Sequence, residues 1–145
     1  MVKVEEMSRG EIRALLQKSD FGHLACARDN RPYVVPIHFV YDEPNIYILT
    51  TKGMKTEIID DNPEVCLQVE EVTDTRHWQS VIITGRASQL TGDDNRFFAR
   101  NFTKEINPAR VPVLHEVWMG PKNRRNVSVI YRIHPDFISG RKTVE

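Results

Sequence analysis

The segment from Thr50 to Thr56, Thr-Thr-Lys-Gly-Met-Lys-Thr, contains residue types that bind phosphate groups. Three hydroxyl side chains, two lysines and a glycine lead into a predicted short helix near Ile58. The first turn of a helix leaves backbone N–H groups unpaired, and the helix dipole favours negative charge there. Such a segment suits a phosphate, which makes Thr50, Thr51, Lys55 and Thr56 the candidate residues for a phosphate site.

Each of these candidate residues also has a simpler interpretation. Lysine side chains are usually solvated, so spacing alone favours a surface role for Lys55. By alternation, His38 lies on the strand face of Pro36 and Val40, where it either lines a ligand site or forms a structural hydrogen bond. Trp78 either stacks on a flat ring or fills the core, and the bare sequence favours the core.

Several other chemistries have no motif in this chain. The five histidines and two cysteines show no zinc-ligand spacing, and there is no Cys-x-x-Cys pair. Neither a G-x-S-x-G nucleophile motif nor a phosphate-binding Walker loop is present. Cys26 and Cys66 each lie in an apparent strand, so we interpret both as small buried hydrophobic residues. We therefore expect thiol chemistry to be incidental.

Length and charge place limits on the class of protein. The 145 residues predict one domain spanning 1–145, and 40% hydrophobic and 28% charged residues are typical of globular proteins. Twenty basic residues balance twenty acidic ones, which argues against general binding to nucleic acid or anionic membrane. Neither a membrane-spanning run nor a signal peptide is visible, so we expect a cytoplasmic protein.

Short runs of β-branched and aromatic residues, separated by turn signals, predict a mainly β (β+α) protein. The predicted strands are Phe21–Ala27, Pro32–Tyr41, Ile46–Leu49, Val65–Glu71, Trp78–Ala87 and Val127–Ile133. The first predicted helix follows a Ser8–Glu11 capping box, and the second presents Ile58 and Ile59 on its apolar face. A third spans Asp93–Lys104. The segment 107–119, which includes Trp118, has no predicted secondary structure. Several short strands with few helices indicate a small β-barrel with helical decoration.

Prolines and a glycine mark irregular points in these strands. Pro36 cannot donate to a ladder, so it belongs at an edge or bulge, where main-chain groups would be free for a ligand. Gly85 predicts a bulge or sharp bend. His134-Pro135 is expected to end the last strand.

Taken together, these segments resemble the pyridoxamine 5'-phosphate oxidase-like FMN-binding split barrels, in the branch of flavin-nucleotide-binding and nitroimidazole-resistance proteins. The motifs that carry the resemblance are FGHLAC at 21–26, RPYVVPIHF at 31–39, TTKGMK at 50–55, NPEVC at 62–66, WQSVIITGRA at 78–87 and SGRK at 139–142. The resemblance implies a six-stranded split β-barrel with a few short helices. It also implies a homodimer with FMN in each of two clefts between the subunits.

The resemblance further assigns cofactor-binding positions. Lys55 matches the phosphate-binding lysine, which reverses the preference for a solvated side chain, and Thr50 and Thr51 end the strand beside the ribityl phosphate. The strand whose backbone faces the isoalloxazine comprises Val35, Pro36, Ile37 and His38, and the strands that complete the cleft carry Gln68, Trp78 and Ser80.

Two departures narrow the function that the resemblance implies. Some nitroimidazole-resistance proteins carry a histidine where this chain has Met54, and the C-terminal substrate pattern of true pyridoxamine phosphate oxidases is not evident. We therefore expect an FMN-dependent oxidoreductase that acts on an unidentified small molecule, and not an enzyme of vitamin synthesis. The alternatives are a flavin carrier, store or sensor without turnover, or a member that binds deazaflavin or haem in the same cleft.

Overall fold

The computed structural model describes residues 1–95 and 128–145 of the chain. Its helices are α1 (Arg9–Lys18) and α2 (Met54–Asp61), and its strands are β1 (Lys3–Glu6), β2 (Phe21–Arg28), β3 (Arg31–Asp42), β4 (Asn45–Thr51), β5 (Glu64–Asp74), β6 (His77–Gln89) and β7 (Ser128–Val144). Most of the helix predicted over Asp93–Lys104, and the whole segment 107–119, lie outside the described residues.

The strands form an antiparallel barrel that closes on itself. The order is β7-β4-β3-β2-β5-β6, and β6 pairs in turn with β7. β1 is a seventh strand that pairs with the far end of β7, Lys3 opposite Val144. The predicted split barrel is therefore confirmed, but the strand count of six is wrong by one. The missed strand, Lys-Val-Glu-Glu, is exposed throughout and carries no run of apolar residues that would predict it.

The barrel is split between β3 and β4. Their ladder ends where His38 lies opposite Leu49. Beyond that point Arg31–Ile37 pairs with β2 alone, and Thr50–Thr51 pairs with β7 alone. The two strand edges that face each other across the split have no ladder partner among the described residues. Pro36 lies on one of these open edges, as its missing N–H predicts.

The barrel interior is filled by the inward side chains of alternating strand residues. Ile58 and Ile59 of α2 and Leu15 and Leu16 of α1 pack against this core, as their helical spacing predicts. The largest fully buried side chains are Leu15, Leu16, Leu24, Ile46, Ile48, Leu67, Val69, Val81, Ile83, Tyr131 and Ile133.

A capping box begins α1, as predicted. The Ser8 Oγ accepts a hydrogen bond from the Glu11 N–H at 3.2 Å, and the Glu11 carboxylate accepts one from the Ser8 N–H at 2.9 Å. The Lys142 ammonium also donates to Glu11 and so connects α1 to β7.

The last strand does not end at His134-Pro135, so that prediction was wrong. β7 continues to Val144 because the β6–β7 ladder changes register between Thr84 and Gly85. Pro135 lies at this irregularity, where a residue without an N–H is tolerated. The bulge or bend predicted at Gly85 is confirmed.

Among the described residues, neither helix is long and apolar enough to cross a membrane.

Candidate functional site

The split between β3 and β4 is where the structure places the predicted phosphate-binding residues. Thr50 is buried and Thr51 is half-buried at the end of β4, where the chain turns into α2. The edge of this strand that faces β3 carries main-chain groups without a ladder partner among the described residues. Such groups are available to a ligand that enters the split.

Thr56 does not present its hydroxyl to the split. Its Oγ1 donates to the Gly53 carbonyl and accepts from the Gly53 N–H, both at 2.9 Å, so this side chain caps the start of α2. The N–H groups of Met54 and Lys55 belong to the same first turn and have no intrahelical partner. The helix start therefore retains free donors and the positive end of the helix dipole.

Lys55 is half-buried beside this helix start. Its ammonium forms no hydrogen bond or ion pair with the described residues, and burial lowers the pKa of Lys55 below its usual value. A cation that is partly removed from water without an anionic partner is unfavourable. A phosphate placed here would supply the missing charge, so Lys55 fits the predicted role.

Cys26 lies close enough to Lys55 for the two groups to interact electrostatically. Burial raises the pKa of the Cys26 thiol, and the Lys55 ammonium offsets only part of that change. Cys26 is buried and Cys66 is half-buried, and both thiols are free. The interpretation as small hydrophobic residues therefore holds fully for Cys26 and in part for Cys66.

The strand β3 separates its candidate residues by face. Ile37 is buried in the barrel core and Val35 is half-buried on the same side, so only their main chains can line the split. Pro36 and His38 point outward. The His38 ring packs on Phe21 with 3.9 Å between ring centroids, and burial lowers the pKa of His38. His38 therefore stays neutral near pH 7.

Gln68 and Ser80 meet on the outer face of the barrel. The Gln68 Nε2 donates to the Ser80 Oγ at 3.0 Å, across the β5–β6 ladder. The Gln68 Oε1 lies 3.1 Å from the Nδ1 of His23 on β2. Trp78 lies further along β6 and is half-buried. Its backbone N–H donates to the Thr143 Oγ1 at 3.0 Å.

The candidate residues thus form two groups that share β3. One group lies at the split and the helix start that follows β4: the main chains of β3 and β4, and Lys55 in the first turn of α2. The other lies on the outer face: Pro36, His38, Gln68, Trp78 and Ser80. In the part of the chain that the structure describes, no three His, Cys, Asp or Glu side chains could hold a metal ion.

Two residues near these groups were not among the sequence candidates. Cys26 approaches Lys55 because α2 packs on β2, a contact that no sequence pattern indicates. His23 lies in the FGHLAC motif, and alternation along β2 places it outward between the buried Gly22 and Leu24. That alternation was the available signal, but it did not reveal Gln68 as a partner.

Residues 8–142 match the model of the pyridoxamine 5'-phosphate oxidase family. An uncharacterised protein of Rhizobium meliloti (strain 1021) is 38% identical over 87 residues, which cover 60% of this chain and 58% of that relative. The matched part is therefore a little over half the length of that curated relative.

Solved structures show the same fold. A FAD-binding protein from Mesorhizobium loti superposes with a TM-score of 0.81 and 30% identity, over the full length of both chains. The FAD-binding protein from Mycobacterium smegmatis has a TM-score of 0.69 and 22% identity, covering 95% of this chain and 97% of that one, which indicates the fold alone. Because the family model spans nearly the whole sequence, this chain belongs to the pyridoxamine 5'-phosphate oxidase family.

Proposed function

We propose that this chain binds FMN in the split between β3 and β4, and that it is an oxidoreductase acting on a small molecule. The observation that carries the proposal is Lys55: a half-buried ammonium with no anionic partner among the described residues, next to a helix start with free N–H groups. Family membership and the FAD-binding relative from Mesorhizobium loti support a flavin as the ligand.

The charges of the site suit the FMN phosphate. A phosphate monoester carries about −1.5 to −2 charges near pH 7. Lys55 would donate charge-assisted hydrogen bonds to it, and the N–H groups of Met54 and Lys55 would add neutral ones. Bound phosphate would also raise the pKa of Lys55 back toward its usual value, because an adjacent negative charge favours the ammonium.

The open edge of β3 suits the flavin ring. The main chain of Val35 to Ile37 has N–H and C=O groups without a ladder partner on the side of the split. Heteroatoms at the edge of an isoalloxazine ring are hydrogen-bond donors and acceptors, and such a strand edge offers both. When bound, the flavin supplies the redox chemistry, and the residues of the chain hold and orient it.

We also propose a homodimer that holds the flavin between its subunits. The outer face of the barrel exposes four large apolar side chains: Phe21 by 50%, Val34 by 62%, Ile82 by 44% and Phe137 by 63%. Phe21 and Val34 lie on the adjacent strands β2 and β3, and Ile82 and Phe137 lie on the adjacent strands β6 and β7. Exposed apolar side chains grouped in this way are typical of an interaction surface. A second copy packed on this face would border the β3 edge of the split and could complete the cleft.

FAD is the second candidate ligand, because a relative of 30% identity is a FAD-binding protein. The FMN half is common to both flavins, so Lys55 would meet the ribityl phosphate in either case. The group is a monoester in FMN and part of a diphosphate bridge in FAD. The greater charge of the monoester at this point favours FMN beside the Lys55 ammonium.

The experiment is an absorption spectrum of the purified protein, followed by chromatography of the chromophore released on denaturation. A flavin spectrum and released FMN would support the proposal, whereas released FAD would favour the second candidate. A deazaflavin or haem spectrum would overturn the assignment of the cofactor. If the protein is purified without chromophore, titration with FMN, FAD and riboflavin tests the same point.

Turnover is tested separately by stopped-flow reduction with NADH and NADPH. Rapid bleaching of the bound flavin, followed by reoxidation when an acceptor is added, would support an oxidoreductase. A bound flavin that neither nucleotide reduces would favour a carrier, store or sensor.

A further inference from the structure

The outer face of the barrel carries a hydrogen-bonded chain of three polar side chains, here called the His23 cluster: His23, Gln68 and Ser80. Gln68 donates from Nε2 to the Ser80 Oγ at 3.0 Å. Its Oε1 lies 3.1 Å from the His23 Nδ1. The cluster spans three neighbouring strands, β2, β5 and β6.

The direction of these hydrogen bonds fixes the tautomer of His23. An amide oxygen can only accept, so the His23 Nδ1 must carry the hydrogen that points at Gln68. In the neutral ring the lone pair is then on Nε2, and in the imidazolium Nε2 carries the second proton. Nε2 has no hydrogen-bond partner among the described residues, and the His23 side chain is 51% exposed.

The cluster lies next to the proposed flavin site. His23 is directly opposite Pro36 in the β2–β3 ladder, and Pro36 borders the split. Adjacent strands are about 4.8 Å apart, so His23 lies one strand spacing from β3, whose opposite edge borders the split. Gln68 lies opposite Ile82, so an apolar side chain adjoins the cluster on β6.

An apolar lid over this position would leave the His23 Nε2 without a partner. A buried, unpaired polar atom costs about 1–3 kcal/mol. If a second copy packs on the outer face as proposed, a polar ligand or an open cleft must therefore remain at His23.

We propose that His23 is a catalytic proton donor at this site, serving a small oxidised acceptor such as a quinone, whose reduction consumes protons. The proposal rests on the flavin binding proposed above. The Nε2–H bond of the imidazolium breaks, an O–H bond forms on the acceptor, and the electron pair of the N–H bond stays on Nε2. The acceptor would gain a hydride equivalent, two electrons and one hydrogen, that NADH or NADPH would supply by way of bound flavin, and His23 would supply the one further proton. Solvent then protonates Nε2 again, and Gln68 keeps the ring oriented throughout.

Other titratable and charged groups lie on the same face of the barrel as His23. They are Glu70 and Cys66 on β5, His38 on β3 and Arg141 on β7. The Glu70 carboxylate lies 3.9 Å from the His23 Nδ1. His38 and Cys66 stay neutral near pH 7, because burial lowers the pKa of the first and raises that of the second. Arg141 is on a strand that lies three positions away from β2.

The test compares two acceptors in the flavin-loaded protein. Reduction of p-benzoquinone takes up protons, whereas reduction of ferricyanide takes up electrons only. We expect His23→Ala to slow quinone reduction by roughly 100-fold, the range of general acid catalysis, and to leave ferricyanide reduction unchanged. Added imidazole should restore part of the rate.

The matched control is His134→Gln, an exposed histidine on β7 outside the His23 cluster. It should change neither reaction. Equal losses with both acceptors in His23→Ala would show that His23 only supports the fold or the flavin, and would overturn the proposal. An unchanged quinone rate would overturn it as well.

A measurement on the flavin-free protein separates this proposal from the proposed function. Nitrogen NMR of ¹⁵N-histidine-labelled protein should show neutral His23 with its hydrogen on Nδ1. Gln68→Met, which removes the accepting oxygen, should shift the population toward the Nε2–H form. The opposite tautomer in the wild type would overturn the proposed role of Gln68 and His23. Failure to bind any flavin would instead overturn the proposed function.

Discussion

At the scale of single residues, Lys55 gives the sharpest prediction. Lys55→Ala should weaken FMN binding by about 10- to 150-fold, because a charge-assisted hydrogen bond contributes roughly 1.5–3 kcal/mol. Riboflavin carries the same ring without the phosphate, so its affinity should hardly change. The measurement is titration of the flavin-free protein with both ligands, at low and high salt.

Lys52→Ala is the control for this substitution, because Lys52 is exposed on the same connection. It should weaken FMN binding much less than Lys55→Ala. Equal losses of FMN and riboflavin affinity in Lys55→Ala would show that Lys55 supports the fold and not the phosphate. No loss for either ligand would place the phosphate elsewhere.

The sequence predicted individual site residues only where neighbouring residues in the chain form a recognisable pattern. Lys55 became a candidate because a lysine, hydroxyls and a helix start are neighbours in the chain, but the family resemblance was needed to favour phosphate binding over a solvated side chain. Thr56 was assigned to the phosphate from the same pattern, yet its hydroxyl caps α2. The contact of His23 with Gln68 joins residues 45 positions apart, so it depends on strand register that composition does not determine.

At the scale of the elements, the contact between α1 and β7 should make stability depend on pH. Hydrogen bonds from the Lys142 ammonium and the Ser8 N–H lower the pKa of Glu11 from its ordinary 4.5 to about 2. A lowered pKa in the folded state stabilises the fold above the unfolded value, and that contribution is lost as pH falls through the folded value. Glu11→Gln should therefore reduce stability at pH 7 and flatten its decline between pH 4.5 and 2.

The measurement for Glu11 is urea denaturation at a series of pH values. Glu5→Gln on β1 is the control, since Glu5 is exposed and forms no ion pair among the described residues. It should retain the decline of the wild type. A Glu11→Gln protein with the full acid-dependent decline would contradict the importance of this ion pair.

Replacing glycine with alanine should affect fold stability differently at Gly85, in the β6–β7 irregularity, and at Gly10, in α1. A Cβ at Gly85 would collide with the His134 carbonyl, whereas a Cβ at Gly10 in α1 would meet only the Ser8 Oγ at 4.0 Å. Gly85→Ala should destabilise the fold by about 1–3 kcal/mol, because the backbone must shift. Gly10→Ala should be neutral or stabilise it by up to about 1 kcal/mol, because alanine restricts the unfolded chain. Thermal denaturation of both variants gives the comparison, and equal shifts would contradict it.

Turns and strand ends could be predicted where residues that are adjacent in the sequence determine them. The Asp29-Asn30 turn joins β2 to β3 with positive φ at both residues, as two turn-forming side chains indicate. The end of β7 was misplaced because Pro135 normally stops a strand, and only the register of β6 shows that it lies at an irregularity. β1 has no signal of its own and exists because β7 is long enough to pair with it.

At the scale of the whole molecule, closure of the barrel depends on pairing between distant segments. β4 and β6 both pair with β7, the last strand of the chain, and periodicity does not specify such partners. Composition and strand spacing indicated a small barrel. The family resemblance indicated that the barrel is split. The position of the split follows from where the β3–β4 ladder ends, which the sequence pattern does not specify.

The proposed homodimer can be tested through its apolar face. Ile82 points outward from β6 and is 44% exposed, so a charge at this position should be compatible with the barrel fold. In a dimer of the obligate type, which buries about 2,000 Å² or more, the same charge would be placed between two apolar surfaces. Ile82→Lys should therefore produce a folded monomer. Sedimentation or light scattering gives the mass, and circular dichroism checks the fold.

Flavin affinity decides whether the cofactor site depends on this interface. If the cleft is built from both subunits, Ile82→Lys should weaken FMN binding although Lys55 and the split are unchanged. Val4→Lys is the matched control, since Val4 is 50% exposed on β1, outside the barrel ring. It should keep both the dimer and the affinity. A wild-type monomer that holds flavin would disprove the interfacial site, because one barrel would then suffice to bind the cofactor.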